Sequence, residues 1–293
     1  MTCNHESKVE YYNIVYKYKG GLIIDSIAFL GPNGTFTHEA ALCLNGELVS
    51  YCSIPSVMKS VEEEINSKGV VPIENSVEGP VGLTLDLLVH KFNLKIEREI
   101  IISINHNLLS SHEVDIKDVR DVYSHSQALA QCQNYLEIRN MKPHFTLSTA
   151  AAAKLIGGME NVAAIGTLKV AELYDLKVID RNIQDIDNNQ TRFVVLSKND
   201  HEITDNDKTS IVFSIFDDNP GGLYDILGIF AKNNINLTKI ESRPSKEGLG
   251  RYIFFVDFEG HQNEKKLKNV LNIINTKTSF IKVLGSYPVA NIY

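Results

Sequence analysis

The sequence predicts an α/β protein with two structural parts, and three features of the 293-residue chain predict this fold class. Segments typical of strands and helices alternate from Leu22 to about residue 200. A polar segment, Asn199–Lys208, then interrupts this alternation. After it the order becomes β-α-β-β-α-β, which is the ferredoxin-like α+β arrangement. We therefore expect mostly parallel sheets in the first part and a separate core in the second.

The changes of pattern set the expected domain boundaries. Residues 1–22 are polar and rich in tyrosine, and we expect them to be an N-terminal extension. Residues 23–200 form the predicted first domain, 201–208 the linker, and 209–293 the second domain. A chain of this length is long enough for two cores.

In the first part, short apolar runs predict strands, and apolar residues at helical spacing predict helices. The predicted strands are LIIDSIAFLG, VVPI, KIEREIIISINHNLL, VAAIG, KVID and TRFVVLS. The predicted helices are TFTHEAALCL, GPVGLTLDLLVH, LSTAAAAKLIGG and TLKVAELY, and DVYSHSQALAQCQNYL is a strand end that runs into a helix. Pro80 is acceptable in a first helical turn, where the backbone N–H has no intrahelical acceptor.

The second part is predicted from the same two periodicities. Its predicted strands are TSIVFSIFD, INLTKIESRP, GRYIFFVDFEG and SFIKVLGSYP, and its predicted helices are NPGGLYDILGIFAKNN and NEKKLKNVLNIINTK.

Composition excludes several classes of function. A net charge of −7 without a Lys/Arg-rich tract argues against a broad nucleic-acid surface. The GPNG stretch lacks the spacing of a nucleotide-binding loop, and neither Gly-x-Ser-x-Gly nor a metal-ligand spacing is present. Cys3, Cys43, Cys52 and Cys132 form no CxxC pair, which indicates a reducing compartment. With no signal-peptide core and no apolar run of about 20 residues, the sequence predicts a cytoplasmic protein.

Polar side chains recur where strands of the first part give way to helices. A first helical turn has unpaired N–H groups and partial positive charge, so Ser, Thr and Asn there cap the helix or hold an anion. For any single residue capping is the simpler explanation, and Arg192 could equally form a surface ion pair. Recurrence across five loops favours a site for a small polyanion such as a dicarboxylate. The five loops carry Thr35 and Thr37; Glu74, Asn75 and Ser76; Ser124, His125, Ser126 and Gln127; Ser148 and Thr149; and Thr191 and Arg192.

Taken together and in order, these loops resemble the prephenate dehydratase family. The matching stretches, over about residues 25 to 290, are AFLGPNGTFTHEAA, VVPIENSVEGPVGLTLDLL, YSHSQALAQC, STAAAA, VAELYDL, NNQTRFVVL, ESRP and GRYIFFVDFEGH. The resemblance implies conversion of prephenate to phenylpyruvate, with loss of water and carbon dioxide, in phenylalanine biosynthesis. It implies a two-lobed, periplasmic-binding-protein-like catalytic domain that needs no cofactor, and an ACT domain that binds phenylalanine as an allosteric effector.

The resemblance also assigns residues. It makes Thr191 the catalytic hydroxyl and implies no metal. The implied substrate-binding residues are Thr35, Phe36, Glu74, Asn75, Ser76, Ser124, His125, Gln127, Ser148, Thr149 and Arg192. The implied effector-binding residues are Asn219, Pro220, Gly222, Leu223, Glu241, Ser242, Arg243 and Pro244. Ser126 and Gly222 stand where the family usually has Pro and Ala, and the Gly222 difference is expected to alter effector affinity.

Alternatives remain at this point. Arogenate dehydratase shares the site motifs, and a two-lobed protein with an amino-acid-sensing domain could be a non-catalytic regulator. Thr191 together with the intact Glu74–Ser76 motif argues against the regulator. Glu74 is expected either to act in acid-base chemistry or to orient Asn75. We expect a monofunctional enzyme, because 22 residues are too few for a helical chorismate mutase domain, and a homodimer or homotetramer.

Overall fold

The computed structural model describes residues 25–216, 220–246 and 251–290. Over these residues the strands form three sheets, which define three units. Lobe 1 comprises residues 25–104 and 189–200, lobe 2 comprises residues 105–188, and the C-terminal domain begins at residue 207. The predicted fold class, a two-lobed α/β part followed by an α+β part, is confirmed.

The strands and helices have the following bounds. In chain order the strands are β1 (Ser26–Leu30), β2 (Glu47–Tyr51), β3 (Lys68–Asn75), β4 (Gly79–Pro80), β5 (Lys95–Ser103), β6 (Asn107–Ser110), β7 (Asp121–His125), β8 (Lys142–Thr146), β9 (Val162–Gly166), β10 (Lys177–Asp180), β11 (Gln190–Ser197), β12 (Asp207–Ile215), β13 (Leu237–Pro244), β14 (Tyr252–Glu259) and β15 (Thr278–Pro288). The α-helices are α1 (Phe36–Leu42), α2 (Ile54–Glu62), α3 (Gly82–His90), α4 (Ser126–Ala130), α5 (Gln133–Ile138), α6 (Thr149–Leu155), α7 (Leu168–Leu173), α8 (Gly222–Lys232) and α9 (Lys265–Asn275), and Ile116–Asp118 form a 3₁₀ turn.

Lobe 2 is an insertion in lobe 1. The chain leaves lobe 1 after β5 and returns to it as β11, which lies between β3 and β5 in the order β2-β1-β3-β11-β5. The two crossing segments are tied together, since the Ile104 N–H donates to the Asn189 carbonyl at 2.8 Å and the Ile183 N–H donates to the His106 carbonyl at 2.9 Å. The single strand expected over KIEREIIISINHNLL is therefore wrong, because the run is divided between two sheets at Ile104–His106.

The expectation of mostly parallel sheets is also wrong, because both sheets of the lobes are mixed. In lobe 1, β1 pairs parallel with β2 and β3, whereas β11 pairs antiparallel with β3 and β5. Lobe 2 has the order β10-β6-β9-β7-β8, with β7 parallel to β8 and β9 and with β6 antiparallel to its neighbours. Pro80 lies in β4, which pairs with β3, so helix α3 begins later than expected, at Gly82.

The C-terminal domain packs directly on lobe 1. Its sheet has the order β13-β14-β12-β15; one face is covered by α8 and α9, and the other contacts the lobe 1 sheet. One apolar cluster contains Val194 and Leu196 of lobe 1 together with Phe255, Leu284 and Tyr287 of the C-terminal domain. The C-terminal domain has the expected core of its own under α8 and α9, but its other face shares a core with lobe 1, which was not predicted. Burial of large apolar side chains stabilises such a contact by roughly 1.5–3 kcal/mol each.

The crossing of β15 over β5 requires a glycine. A Cβ on Gly285 would lie 2.2 Å from the carbonyl oxygen of Ile96, so the two backbones can approach this closely only without a side chain at that position. Of the cysteines in the described part of the chain, Cys43 and Cys52 are exposed, Cys132 is buried, and all three are free thiols. None of the helices described is both long and apolar enough to cross a bilayer.

Candidate active site

The candidate site is built on two neighbouring strands, β3 and β11. They pair antiparallel with Thr191 opposite Asn75 and Arg192 opposite Glu74. Because side chains alternate along a strand, each strand contributes one residue to the cleft between the lobes and the next residue to the opposite face. Consecutive residues of the ENS and TRF motifs therefore lie on opposite faces of the sheet and have different neighbours.

Asn75 is the centre of the hydrogen bonds on the cleft side. Its amide Nδ2 donates to Thr191 Oγ1 at 2.9 Å and to Asn189 Oδ1 at 2.8 Å. Its Oδ1 accepts from the backbone N–H groups of Val77 and Glu78, both at 2.9 Å, which fixes the turn that follows β3. The polar ENS corner thus closes a turn and holds the Thr191 hydroxyl, rather than capping α3, whose first turn has no side-chain cap.

The hydrogen bonds continue into lobe 2 through residues that sequence reasoning did not select. Asn189 Nδ2 donates to Gln131 Oε1 at 3.0 Å, and Gln131 Nε2 donates to Glu78 Oε1 at 2.9 Å. His106 Nε2 lies 2.8 Å from the same Gln131 Oε1. The sequence did carry a signal for both residues, because they lie within the family motifs: Gln131 ends the QALAQ stretch, and Asn189 lies two residues before Thr191 of the TRF motif.

His106 acts as a hydrogen-bond donor in this arrangement, because Gln131 Oε1 is an acceptor. Burial lowers the pKa of His106, and the hydrogen bond with Gln131 offsets only part of that effect. A neutral imidazole with its proton on Nε2 donates to Gln131 Oε1, which also accepts from Asn189. The ring of Phe36 meets the imidazole edge-on, with 5.7 Å between centroids, which connects the GTFT loop to the same network.

The GTFT loop also bridges the two lobes. Gly34 has a φ of 88°, and a Cβ there would lie 2.4 Å from the Val170 side chain of lobe 2. Thr167 Oγ1 of lobe 2 donates to the Gly34 carbonyl at 3.2 Å. Thr35 acts locally: its hydroxyl donates to the Pro32 carbonyl at 3.0 Å and accepts from the His38 N–H.

Several predicted substrate-binding residues have backbone partners of their own. Ser124 is buried and donates to the Ile165 carbonyl at 2.7 Å. Whether these residues bind a substrate stays a prediction. The other local contacts are the His125 Nδ1 cap on the Gln127 N–H at 3.4 Å, the Ser148 cap on Ala151 N–H at 3.0 Å, with Thr149 as the first residue of α6, and Ser76 Oγ accepting from the Gln190 N–H at 2.9 Å.

Arg192 and Glu74 lie on the opposite face, toward the C-terminal domain. The Arg192 guanidinium forms ion pairs with Asp257 at 2.7 Å, Glu99 at 3.4 Å and Glu74 at 3.5 Å. Burial alone would lower the pKa of Arg192, but Asp257, Tyr287 and Glu99 together outweigh burial and raise it. Glu74 has a second cation, Lys239 Nζ at 2.9 Å. These partners favour ion pairing of Arg192 over contact with substrate, but the pairs are buried and not at the surface as expected.

The predicted effector residues fall into two groups. On β13, Glu241 and Arg243 point toward lobe 1, where Arg243 Nε lies 3.3 Å from Asp86 Oδ1, whereas Ser242 and Pro244 are exposed. Pro220, Gly222 and Leu223 are at the start of α8. Asn219 and the predicted extension at 1–22 lie outside the described residues.

Two cavities border the hydrogen-bond network. One, of about 360 Å³, is lined by Phe36, Glu39 and Lys169 among others, and burial raises the pKa of Glu39 there. The second, of about 400 Å³, is lined by Gln131 and Asn189 among others. Both volumes fall within the range of roughly 300–1,000 Å³ that small-molecule sites occupy. In the described ranges, no three His, Cys, Asp or Glu side chains come together as metal ligands would.

The comparisons with known proteins agree with this architecture. Residues 27–201 match the family model for prephenate dehydratase, and residues 209–275 match the ACT domain. The bifunctional chorismate mutase/prephenate dehydratase of Aquifex aeolicus is 45% identical over 269 residues, which are 90% of this chain and 74% of the relative. The prephenate dehydratase of Methanocaldococcus jannaschii is 43% identical over 274 residues, 90% of this chain and 98% of the relative.

A solved structure is similar over the same region. The crystal structure of prephenate dehydratase from Arthrobacter aurescens in complex with L-Phe has 32% sequence identity, a TM-score of 0.82 and coverage of 90% of each chain. Fold and site thus define an enzyme of two α/β lobes with an ACT domain docked on one of them. Within that class, the chain belongs to the prephenate dehydratase family.

Proposed function

We propose that the protein converts prephenate to phenylpyruvate, carbon dioxide and water, with Thr191 as the catalytic hydroxyl. The observation that carries the proposal is the 2.9 Å hydrogen bond from Asn75 Nδ2 to Thr191 Oγ1. Since the amide is the donor, Thr191 Oγ1 is the acceptor and its own proton stays available. No residue in the described part of the chain accepts that proton in return. This proton is therefore available for donation to a ligand in the cleft, which supports the proposed role.

The reaction breaks two bonds of prephenate. The ring C–O bond breaks as the hydroxyl leaves, and the electrons of the ring–carboxylate bond enter the ring as carbon dioxide departs, which makes the ring aromatic. Thr191 donates a hydrogen bond to the leaving oxygen, and a proton that its hydroxyl relays from solvent lets this oxygen depart as water. General-acid help of this kind contributes about 10²- to 10⁴-fold. Orientation by the fixed amides of Asn75 and Asn189 supports the remaining acceleration.

The two carboxylates of prephenate require positive or hydrogen-bonding partners. Lys169, paired with Glu172 at 2.6 Å, lines the cavity that Phe36 also lines. Arg192 is committed to three carboxylates on the other face, so it is the weaker candidate. If one carboxylate binds near Lys169, Lys169→Met raises KM more than it lowers kcat; an unchanged KM would remove Lys169 from the binding site.

In the direct test, purified wild type, Thr191→Ala and Thr191→Ser are each incubated with prephenate at neutral pH. The phenylpyruvate that forms is then measured by its absorbance in alkali. We expect product from wild type, almost none from Thr191→Ala, and partial activity from Thr191→Ser, which keeps a hydroxyl. Equal activity of wild type and Thr191→Ala would move catalysis to another group. Product from arogenate but not from prephenate would assign the enzyme to the transaminated substrate.

We also propose feedback inhibition by phenylalanine at the ACT domain. The family match at residues 209–275 and the L-Phe complex of the Arthrobacter relative support this proposal. Gly222 and Leu223 at the start of α8, together with the ESRP segment of β13, are the proposed effector contacts. Phenylalanine is expected to lower wild-type activity and to inhibit Arg243→Ala less. Unchanged inhibition of Arg243→Ala would count against this placement.

A homodimer or homotetramer in the cytoplasm is part of the same proposal. Strand β13 is an edge strand of its sheet, and exposed apolar side chains on the C-terminal domain include Tyr224 and Ile240. An edge strand with apolar neighbours can pair with a second copy. Light scattering coupled to size-exclusion chromatography should give a mass of two or four chains, and a monomer mass would reject the proposal.

A further inference from the structure

Charged side chains cross the contact between the C-terminal domain and lobe 1 directly behind the candidate site. Lobe 1 contributes Glu74, Glu99 and Arg192, and the C-terminal domain contributes Lys208, Lys239 and Asp257. The three cations balance the three anions, which is the condition under which charges persist in an interior. We call these six residues the interdomain ion cluster.

Asp257 is the most enclosed C-terminal member of the cluster. The residue is 4% exposed, and its Oδ2 lies 2.7 Å from Arg192 Nη2. Its Oδ1 accepts from Ser210 Oγ at 2.5 Å, so neighbours on both sides fix the carboxylate. It projects to lobe 1 because residues alternate along β14: Phe254 and Phe258 pack in the core under the helices, whereas Phe255 and Asp257 face lobe 1.

Lys239 contacts the other strand of the site. Its Nζ lies 2.9 Å from Glu74 Oε2. Asp257 therefore holds Arg192 of β11, and Lys239 holds Glu74 of β3, while Glu74 and Arg192 are themselves opposite one another and 3.5 Å apart.

We propose that Asp257 and Lys239 are positioning residues for the reaction, because they fix the strand pair that holds Thr191 against Asn75. The inference rests on the proposed function. Thr191 and Asn75 are the immediate chain neighbours of Arg192 and Glu74, and they are paired across the same two strands. A rotation of Arg192 or Glu74 therefore turns the backbone that aims Thr191 and Asn75.

A bulge makes this pair of strands sensitive to its side-chain partners. The register shifts between Arg192 and Phe193, where Phe193 pairs with Pro72 and Ile73 is the extra residue. A bulge interrupts the ladder and bends the strand, so fewer backbone hydrogen bonds define its direction. Ion pairs on the far face supply the restraint that the ladder lacks at this point.

The test compares Asp257→Asn with Leu284→Ala. Both change the same interdomain contact, but Leu284 is a buried apolar member of the shared core and has no charge partner. Asp257→Asn removes the charge that faces Arg192 while keeping the size of the side chain. We expect kcat of Asp257→Asn to fall by about tenfold or more with little change in KM, since small misplacements of reacting groups are costly. Leu284→Ala should lower the melting temperature and keep the wild-type kcat.

The kcat values of the two variants either support or overturn the inference. A reduced kcat in Asp257→Asn but not in Leu284→Ala, at a temperature where both are folded by circular dichroism, supports positioning by charge. Equal losses in both variants would show that docking as a whole matters and would overturn it, as would a wild-type kcat in Asp257→Asn. Lys239→Met should reproduce the kcat loss. If wild type itself makes no phenylpyruvate, the proposed function fails instead, so the two failures are distinct.

Discussion

The two faces of the β3–β11 strand pair differ in chemistry although they are built from consecutive residues. On the cleft face, the Asn75 amide donates neutral hydrogen bonds to Asn189 and to Thr191. On the opposite face, Glu74 and Arg192 join a cluster of full charges that the C-terminal domain completes. Backbone pairing is shared by both faces, so the difference lies in the side chains alone.

This difference shows how a dianion can be accepted next to buried carboxylates. A carboxylate beside Thr191 on the cleft face would repel a dianion, whereas the fixed amides of Asn75 and Asn189 and the Thr191 hydroxyl carry no charge. The carboxylate of Glu74 is compatible with the site because it points away from the cleft and has two cations. Its contacts do not support an acid-base role, and a Glu74→Gln variant with full activity at all pH values would exclude one.

The largest expected effect comes from removing the central cation of the charged face. Arg192→Met should lower the free energy of unfolding by about 3–5 kcal/mol, because Glu99 and Asp257 remain buried without their shared partner. Urea denaturation measures the loss. Arg98→Met, on an exposed residue of β5, is the matched control and should stay within about 0.5 kcal/mol of wild type. A loss below about 1 kcal/mol would mean that the charged face adds little to stability.

Placing a charge on the neutral face is expected to have the next largest effect. Asn75→Asp keeps an oxygen for the Val77 and Glu78 N–H groups but loses the amide donor to Thr191. We expect kcat to fall about 100-fold, the cost typical of losing a fixed donor in an active site. Steady-state kinetics of Asn75→Asp measures this loss. Asn199→Asp, the same change at an exposed position, is the control and should keep the wild-type kcat. If kcat of Asn75→Asp stayed within twofold of wild type, the cleft face would not require a neutral amide at this position.

The contact that joins the charged face to the C-terminal domain can be tested through Gly285. Gly285→Ala forces a Cβ onto the Ile96 carbonyl and should destabilise the protein by about 1–3 kcal/mol, as overpacking does. Thermal or urea unfolding gives the value. Gly228→Ala is the control: its Cβ meets open space inside α8, where alanine should stabilise by roughly 0.5–1 kcal/mol. Equal effects of both changes would mean that β15 is not pressed against β5.

The smallest expected effect concerns pH and the neutral face. The folded protein holds the pKa of His106 below its usual value of about 6.5, because the imidazole is buried. The folded state therefore binds this proton less readily than the unfolded state. The contribution of His106 to stability is complete above pH of about 6.5 and is lost as pH falls through the folded pKa. Unfolding free energies between neutral and acidic pH should decline less in His106→Gln, whereas His112→Gln, at an exposed histidine, should decline like wild type.

Much of the fold could be predicted because its signals are local. The apolar spacing in TFTHEAALCL and the short run in VAAIG each define one element without knowledge of the rest of the chain. The run Lys95–Leu109 misled because both of its halves are buried, so hydrophobicity continues across the point where the chain changes lobe. The prediction of mostly parallel strands was wrong for a similar reason. A local pattern does not show that β11 returns antiparallel between β3 and β5.

Some residues of the candidate site could likewise be predicted from the sequence, and others could not. The family motifs identified Asn75 and Thr191, and their contact in the structure agrees with that prediction without testing catalysis. The partners of Arg192 could not be predicted, because both are far from it in the sequence. Glu99 meets Arg192 only through the pairing of β11 with β5, and Asp257 only through the docking of the C-terminal sheet. Gln131 was within a quoted motif, but only the approach of lobe 2 to Asn189 gives it a role.

The insertion of lobe 2 sets the order in which the protein can be built on the ribosome. Strand β11 lies between β3 and β5, yet it follows the whole of lobe 2 in the chain. Lobe 2 is therefore complete while lobe 1 still lacks the strand that joins its two halves, and domains generally fold as they emerge. The strand that closes lobe 1 carries Thr191, so the proposed catalytic hydroxyl reaches Asn75 only when the sheet closes.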